Sequence, residues 1–259
     1  MSKLLALISG RLIRLLGNFF KLLSYPFHWL FPDKRFKIPS VSKAKIVSKS
    51  PCKVTKIIWQ TNYSARCTLP VYLNYLFNRL MSLDFEYRYV STEEREMFVK
   101  QHAPARVYDA YMRLNDGAAQ ADLWRLVTLN ACGGIYMDID ATLVWPLKRL
   151  IQQDYDALYL TLDKNGHYTN FFLATAPNNP IYLDTINKIV DNIEQEKVSQ
   201  GVYHLTGPMV LTDTISDQEV ESKSRKYVAI QGTFTNEYFQ YIDKPRGKWT
   251  HKKPEDLLK

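Results

Sequence analysis

Asp138 and Asp140 stand one residue apart at the end of the run Gly-Gly-Ile-Tyr-Met-Asp-Ile-Asp, residues 133–140 of a 259-residue chain. Read as a strand from Ile135, the run alternates: Ile135, Met137 and Ile139 point one way, and Tyr136, Asp138 and Asp140 the other. On that reading the two acidic residues lie roughly 6 to 7 Å apart between α-carbons. Two like charges on one face of a half-buried strand require compensation. A divalent cation supplies it, because carboxylate oxygens are the hard ligands that Mg2+ and Mn2+ prefer, with phosphate oxygens and water completing the shell. The plain alternative is a pair of solvated aspartates at a strand end, and the apolar flanks speak against it.

A helix must lead into that strand. Asn115 or Asp116 can cap its start, alanine and leucine fill its body, and Gly133-Gly134 supplies the positive φ that stops it. At helical period Leu123, Trp124, Leu126, Val127 and Ala131 form the buried arc, with Asp122 and Arg125 together beside it. An acid and a base at i and i+3 form, on one reading, a surface pair. Placed directly before the acidic strand, they are also candidates for gripping the hydroxyl groups of a ligand whose phosphates the metal holds.

Ala121-Asp122, Arg125, Gly133-Gly134-Ile135-Tyr136, Asp138 and Asp140 together resemble the sugar-binding region of the D-x-D glycosyltransferases. That family includes the yeast initiating mannosyltransferases and the glucosylating domains of large clostridial toxins. The resemblance runs from about Val54 to Trp249 and is strongest in the middle third. It implies an α/β fold of GT-A type, with a mostly parallel Rossmann-like central sheet flanked by helices. It also implies a nucleotide-sugar donor, Mn2+ or Mg2+ at Asp138 and Asp140, sugar orientation by Asp122 and Arg125, and retention of anomeric configuration.

Further roles come from the resemblance residue by residue. Trp59 would stack on the donor's base, or else be a core tryptophan. Tyr136 would line the donor site, and Asn170 would lie near sugar or acceptor, or serve a turn. Thr206-Gly207-Pro208 resembles the family's G-P element, opening a helix beside the cleft. In the basic tail Pro245–Lys253, which also holds Arg246, Trp249 would cover the donor and His251 would approach the metal or diphosphate; a solvated C-terminus is the alternative. UDP-hexose is the expected donor, with GDP-mannose as rival. The expected acceptor is a saccharide or lipid-linked saccharide in cell-surface polysaccharide or lipopolysaccharide synthesis. Two other functions use the same residues: a nucleotide-sugar hydrolase or phosphotransferase, and a membrane-recruited saccharide-binding protein without turnover.

The remaining pattern is that of helices and strands in alternation. Val54–Trp59 reads as a strand leaving into a loop at Gln60, Leu69–Met81 as a helix, and Phe85–Val90 as a strand. Ser91 and Glu94 make a capping box. Another helix covers Ala105–Leu114, Asp156–Leu160 and Tyr168–Ala174 read as strands, Asn179-Pro180 opens a helix, and Tyr227–Ile230 is a late strand. Such alternation argues for a parallel sheet covered by helices.

The net charge of +8 is unevenly spread. Residues 1–53 carry +10, leaving about −2 for residues 54–259, so the basic charge lies on an appendage and not on a nucleic-acid-binding surface. Cys52, Cys67 and Cys132 have no metal-ligand spacing, and their odd number fits a reducing interior. We divide the chain into an amphipathic arm (1–31), a basic connector (32–53) and a catalytic domain (54–259). In the arm Lys3, Arg11, Arg14, Asn18 and Lys21 share a narrow stripe and apolar residues cover most of the rest, followed by Tyr25, Phe27, Trp29 and Phe31. This pattern suits a helix lying on anionic lipid, here at the cytoplasmic face of a plasma membrane. Packing on the protein and a targeting role are the alternatives.

Overall fold

The computed structural model describes residues 3–47, 51–162, 166–216, 218–245 and 247–259, so Arg246 and connector residues 48–50 lie outside the described residues. The chain opens with a long helix, α1 (Lys3–Leu30), and two short strands, β1 (Phe36–Lys37) and β2 (Val41–Ser42). Next come β3 (Ile57–Thr61), β4 (Arg66–Cys67), α2 (Leu69–Leu80), β5 (Glu86–Val90), α3 (Thr92–His102) and α4 (Ala105–Arg113). The central helix α5 (Gly117–Cys132) leads into β6 (Gly134–Met137) and β7 (Ala141–Leu143). After α6 (Leu147–Leu150) follow β8 (Ala157–Thr161), β9 (Tyr168–Thr175), α7 (Pro180–Glu194), α8 (Val202–Leu205) and α9 (Pro208–Ile215). The last elements used below are β10 (Ser222–Ser224), β11 (Ala229–Gln231) and α10 (Glu237–Tyr241).

Local chemistry sets the boundaries. Asp116 caps α5, its Oδ1 accepting from Ala118 N at 2.9 Å and Ala119 N at 3.0 Å. The helix stops at Gly133, whose φ is 65°; a Cβ there would lie 2.7 Å from Thr55 Oγ1 and 2.9 Å from the Pro177 ring, so glycine is required on both counts. The Ser91–Glu94 capping box is formed at α3, and Asn179 caps α7 through Ile181 N at 2.9 Å.

Seven strands form the main sheet in the order β10-β8-β9-β6-β3-β5-β2. The β6-β3-β5 centre and the β10-β8 edge are parallel, whereas β9 runs antiparallel to both its neighbours and β2 runs antiparallel to β5. The architecture is therefore mixed α/β with a central sheet flanked by helices, and parallel and antiparallel pairings are balanced. The reversal comes from β9 entering between β6 and β8, a long-range pairing invisible to local pattern.

Alternation along the sheet separates two cores. Trp59, Tyr136, Tyr159 and Leu173 pack with α4, α5 and α7 on one side. Ile58, Ile135, Met137, Leu158 and Phe172 pack with α2 and α6 on the other. The connector is more than a tether: Ile38 is fully buried, β1 pairs with β4, and β2 adds an edge strand to the main sheet. Helix α1 lies on the α2 side, where its Ile13 joins a small cluster with Val144, Ile230 and Phe234.

Candidate active site

Strand β6 ends at Met137, one residue before the first aspartate. Residues 138–140 form a tight turn closed by the Ala141 N–H donating to the Asp138 carbonyl at 3.0 Å, and the chain then enters β7. This corrects the expectation that both acids continue the pleat. The turn follows from the buried amides that hold its carbonyls: Gln60 Nε2 donates to Asp138 O at 2.9 Å, Asn74 Nδ2 to Ile139 O at 2.9 Å, and Asn78 Nδ2 to Ala141 O at 2.8 Å. Gln60 itself belongs to β3, not to a loop, and accepts from the Tyr87 hydroxyl.

The turn still aims both carboxylates at a common point. Gln231 Nε2, at the end of β11, lies 3.4 Å from Asp138 Oδ2 and 3.3 Å from Asp140 Oδ1. Enclosure by the cleft walls and the neighbouring Asp138 charge push the Asp140 carboxyl up to about 6. Asp138 also accepts from the Tyr136 hydroxyl at 2.7 Å, and Arg125 Nη1 stands 3.5 Å from its Oδ1.

Asp122 and Arg125 are buried and paired at 3.0 Å, not spread on a surface. Asp122 accepts in addition from Asn170 Nδ2 at 2.9 Å and from the Thr206 hydroxyl at 3.1 Å. Burial pushes the Asp122 carboxyl up, to about 7, against the opposing pull of Arg125 and Thr206. Burial alone would lower the Arg125 pKa; Tyr136, Asp122 and Asp138 instead hold it above its ordinary value. The guanidinium lies over the Tyr136 ring at 4.2 Å and donates to the carbonyls of Asn170 at 2.8 Å and Ala121 at 3.2 Å. A planar cation held at these points sits rigidly beside the paired carboxylates.

These residues line one cleft of about 700 Å³ at the carboxyl ends of β3 and β6. Asp122, Arg125, Tyr136, Asp138, Asp140, Asn170 and Trp249 all contribute to its wall, as do Gly207 and Pro208 at the start of α9. Trp249 lies roughly parallel to Tyr203, with ring centres 6.4 Å apart.

Two sequence candidates fall elsewhere. The Trp59 indole is a core group, 3% exposed, with its N–H donated to the Gly133 carbonyl at 3.1 Å and the Arg88 guanidinium over its ring, so it is not placed to stack on a ligand. The strand starts three residues later than the pattern suggested, and its side-chain alternation turns Trp59 into the helix-covered core. His251 lies outside the cleft wall, bonded to Glu237 Oε1 at 2.7 Å; Lys248 and His251 together hold the Glu237 carboxyl below its usual range. It does not approach Asp138 or Asp140.

Among the described residues no group of three or more His, Cys, Asp or Glu side chains gathers as a metal site. The protein therefore offers two carboxylates, with the Gln231 amide between them. Hard oxygen donors in mutual repulsion fit Mn2+ or Mg2+, with the rest of the shell left for phosphate and water. Sequence reading missed Gln231 and Gln60, whereas Thr206, read as part of the element beside the cleft, does reach the site through its bond to Asp122. Gln231 is brought in by the β11-β7 ladder, which pairs it with Ala141, and no spacing in the sequence signals that contact.

Comparison with known proteins agrees with this geometry. Residues 70–157 match the family described as glycosyltransferase sugar-binding region containing DXD motif. The initiation-specific alpha-1,6-mannosyltransferase of Schizosaccharomyces pombe is 24% identical over 192 residues, which are 63% of this chain. They are 48% of that protein, so the chain spans about half the length of this curated relative. Among solved structures, the PaToxG glycosyltransferase superposes with a TM-score of 0.50 at 18% identity, over 64% of this chain and 70% of that one. The fold is thus of the GT-A glycosyltransferase type, and the matched family region carries the Asp138-x-Asp140 motif.

Proposed function

We propose that the protein is a metal-dependent retaining glycosyltransferase that moves a hexose from a nucleotide sugar, UDP-hexose first, to a saccharide or glycolipid acceptor in cell-surface polysaccharide or lipopolysaccharide synthesis. The carrying observation is the convergence of Asp138 and Asp140 on one point beside the buried Asp122–Arg125–Asn170 cluster. A bound Mn2+ or Mg2+ would neutralise charge on a diphosphate leaving group, Lewis-acid help on the order of several kcal/mol. Asp138 and Asp140 would hold it. Arg125, held 3.5 Å from Asp138, would meet negative charge developing on the diphosphate without reorganisation. The Asp122–Asn170 pair would orient sugar hydroxyls, and such positioning supplies much of the rate.

Retention is favoured by the lining carboxylates. Each one among the described residues already has a partner: Asp122 has Arg125, Glu237 has Lys248 and His251, and Asp138 and Asp140 share the Gln231 amide and would hold the cation. None stands free as an inverting base. A second reading, transfer of mannose with GDP-mannose as the donor, is favoured by the likeness to the Schizosaccharomyces pombe alpha-1,6-mannosyltransferase.

A thermal-shift panel of UDP-, GDP-, CMP- and dTDP-sugars with and without Mn2+, followed by separation of free sugar from glycoside, tests both. A Mn2+-dependent rise with a UDP-hexose supports the first, and one with GDP-mannose selects the second. No metal-dependent rise with any donor overturns both, and free sugar without glycoside in the presence of saccharide acceptors points to hydrolysis.

A further inference from the structure

Helix α1 has two opposed faces of different character. Ala6, Gly10, Ile13, Gly17, Ser24 and His28 are buried against the domain. The small residues allow close approach: a Cβ on Gly17 would lie 2.5 Å from Thr233 Cγ2. About half a turn of the helix away, Leu4, Leu12, Leu15, Phe19, Leu22 and Trp29 face outward, each more than half exposed. Lys3, Arg11 and Arg14 are exposed along one edge of that apolar face, and the first acidic residue of the chain is Asp33. No described helix is long and apolar enough to cross a membrane.

The buried face holds the wall of the cleft. Lys21 Nζ donates to Gly232 O at 2.9 Å, Tyr25 accepts from Asn236 Nδ2 at 2.8 Å, Phe20 stacks on Phe234, and just past the helix Arg35 pairs with Asp243 through two bonds of 2.6 Å. Along this same segment, residues 231–243, Gln231, Asn236, Gln240 and Tyr241 line the cleft, and Gln231 reaches both Asp138 and Asp140.

We infer that the outer face of α1 docks on an anionic bilayer and, through segment 231–243 which its inner face clamps, fixes the cleft at the lipid surface, where an acceptor anchored in that bilayer is presented. A broad apolar face edged by cations and free of acids is complementary to anionic lipid. A second copy of the chain would bring its own excess positive charge to the same contact, which disfavours that occupant. The docking stands on α1 alone; the acceptor class rests on the glycosyl-transfer reading.

The test uses the full chain with vesicles of phosphatidylcholine alone or with about a third phosphatidylglycerol. Sedimentation and hydrogen exchange are read beside Mn2+-dependent nucleotide release in solution. We expect at least tenfold stronger binding to the anionic vesicles, and loss of it in the triple variant Leu12→Glu/Leu15→Glu/Phe19→Glu. The triple variant keeps the melting temperature and nucleotide release of the native chain. Arg11→Glu/Arg14→Glu, which leaves the apolar face intact, loses the preference for anionic lipid. Vesicles slow exchange in both α1 and 231–243 but not in α7, which packs on the other side of the sheet.

Unchanged binding by the triple variant, or a dimer that it dissociates in the absence of vesicle binding, overturns the docking. Protection confined to α1 overturns the link to the cleft. Vesicle binding without nucleotide release from any donor overturns instead the catalytic reading, and leaves the docking standing.

Discussion

The side-chain amide of Gln231 is shared between Asp138 and Asp140, 3.4 Å from one carboxylate and 3.3 Å from the other. In that position it partly offsets the repulsion a cation would remove, and rotation of the amide would present its oxygen to the metal instead. Partners of this kind tune metal affinity by about 10- to 100-fold. Gln231→Ala is therefore expected to weaken Mn2+ binding by about 10-fold in a calorimetric titration, with the melting temperature little changed. Equal affinity would show that the amide is a bystander.

Asp138→Asn and Asp140→Asn preserve shape and remove charge. The asparagine oxygen at 138 can still accept from Tyr136, so the fold should hold. Metal-dependent nucleotide release should fall by at least about 100-fold in each, given that several kcal/mol of charge stabilisation is lost. Full turnover in either variant would remove the metal assignment.

The pH dependence follows from Asp140, whose carboxyl is pushed up to about 6 from 3.8 by enclosure and by Asp138. A cation binds the deprotonated form, so metal and proton compete. Above pH 6 the affinity of the free protein for Mn2+ should be nearly flat. Below it, affinity should drop toward about tenfold per pH unit, and binding at pH 6 should release about half a proton per ion, measurable as a buffer-dependent heat. A flat profile between pH 5 and 7 would contradict the raised value.

The capped helix α5, its glycine stop and the pair of acids were legible in the sequence because each is a local event: a cap within three residues, a positive φ, a change of period at Ile135. The cluster around Asp122 was only half legible. Arg125 is one turn away, but Asn170 and Thr206 come from β9 and the start of α9, and only tertiary packing brings them within 3.1 Å. The end of β6 at Met137 was misread because the alternation continues in sequence through Asp140, while buried Asn74, Asn78 and Gln60 bend the backbone. The arm read as amphipathic, yet its Gly10 and Gly17 stripe gave no sequence signal of a docking face until Thr233 and Val144 were seen against it.

Asp122 and Arg125 allow structural and functional roles to be separated. Asp122→Ala leaves a buried guanidinium without its nearest acid and is expected to destabilise the fold by about 3 to 5 kcal/mol in urea unfolding. Replacing both together, Asp122→Leu with Arg125→Met, exchanges the pair for apolar volume and should recover most of that loss. Turnover should be absent in both. Recovered turnover in the stable double variant would show that the pair serves only the fold.

The two tryptophans make opposite predictions from the same residue type. Trp59 is buried among helix-covered core residues and bonded to Gly133, so Trp59→Ala should cost about 3 to 5 kcal/mol of stability. Donor affinity measured well below its melting temperature should change little. Trp249 is 38% exposed in the cleft wall with Tyr203 alongside, a platform on which a flat ring can stack. Stacking of a base on an aromatic side chain is worth about 1 to 3 kcal/mol, so Trp249→Ala should weaken nucleotide binding by about 5- to 150-fold while the melting temperature moves little. Were Trp59→Ala the variant that lost nucleotide affinity at unchanged stability, the base would have to be placed at the β3 edge and the cleft wall redrawn.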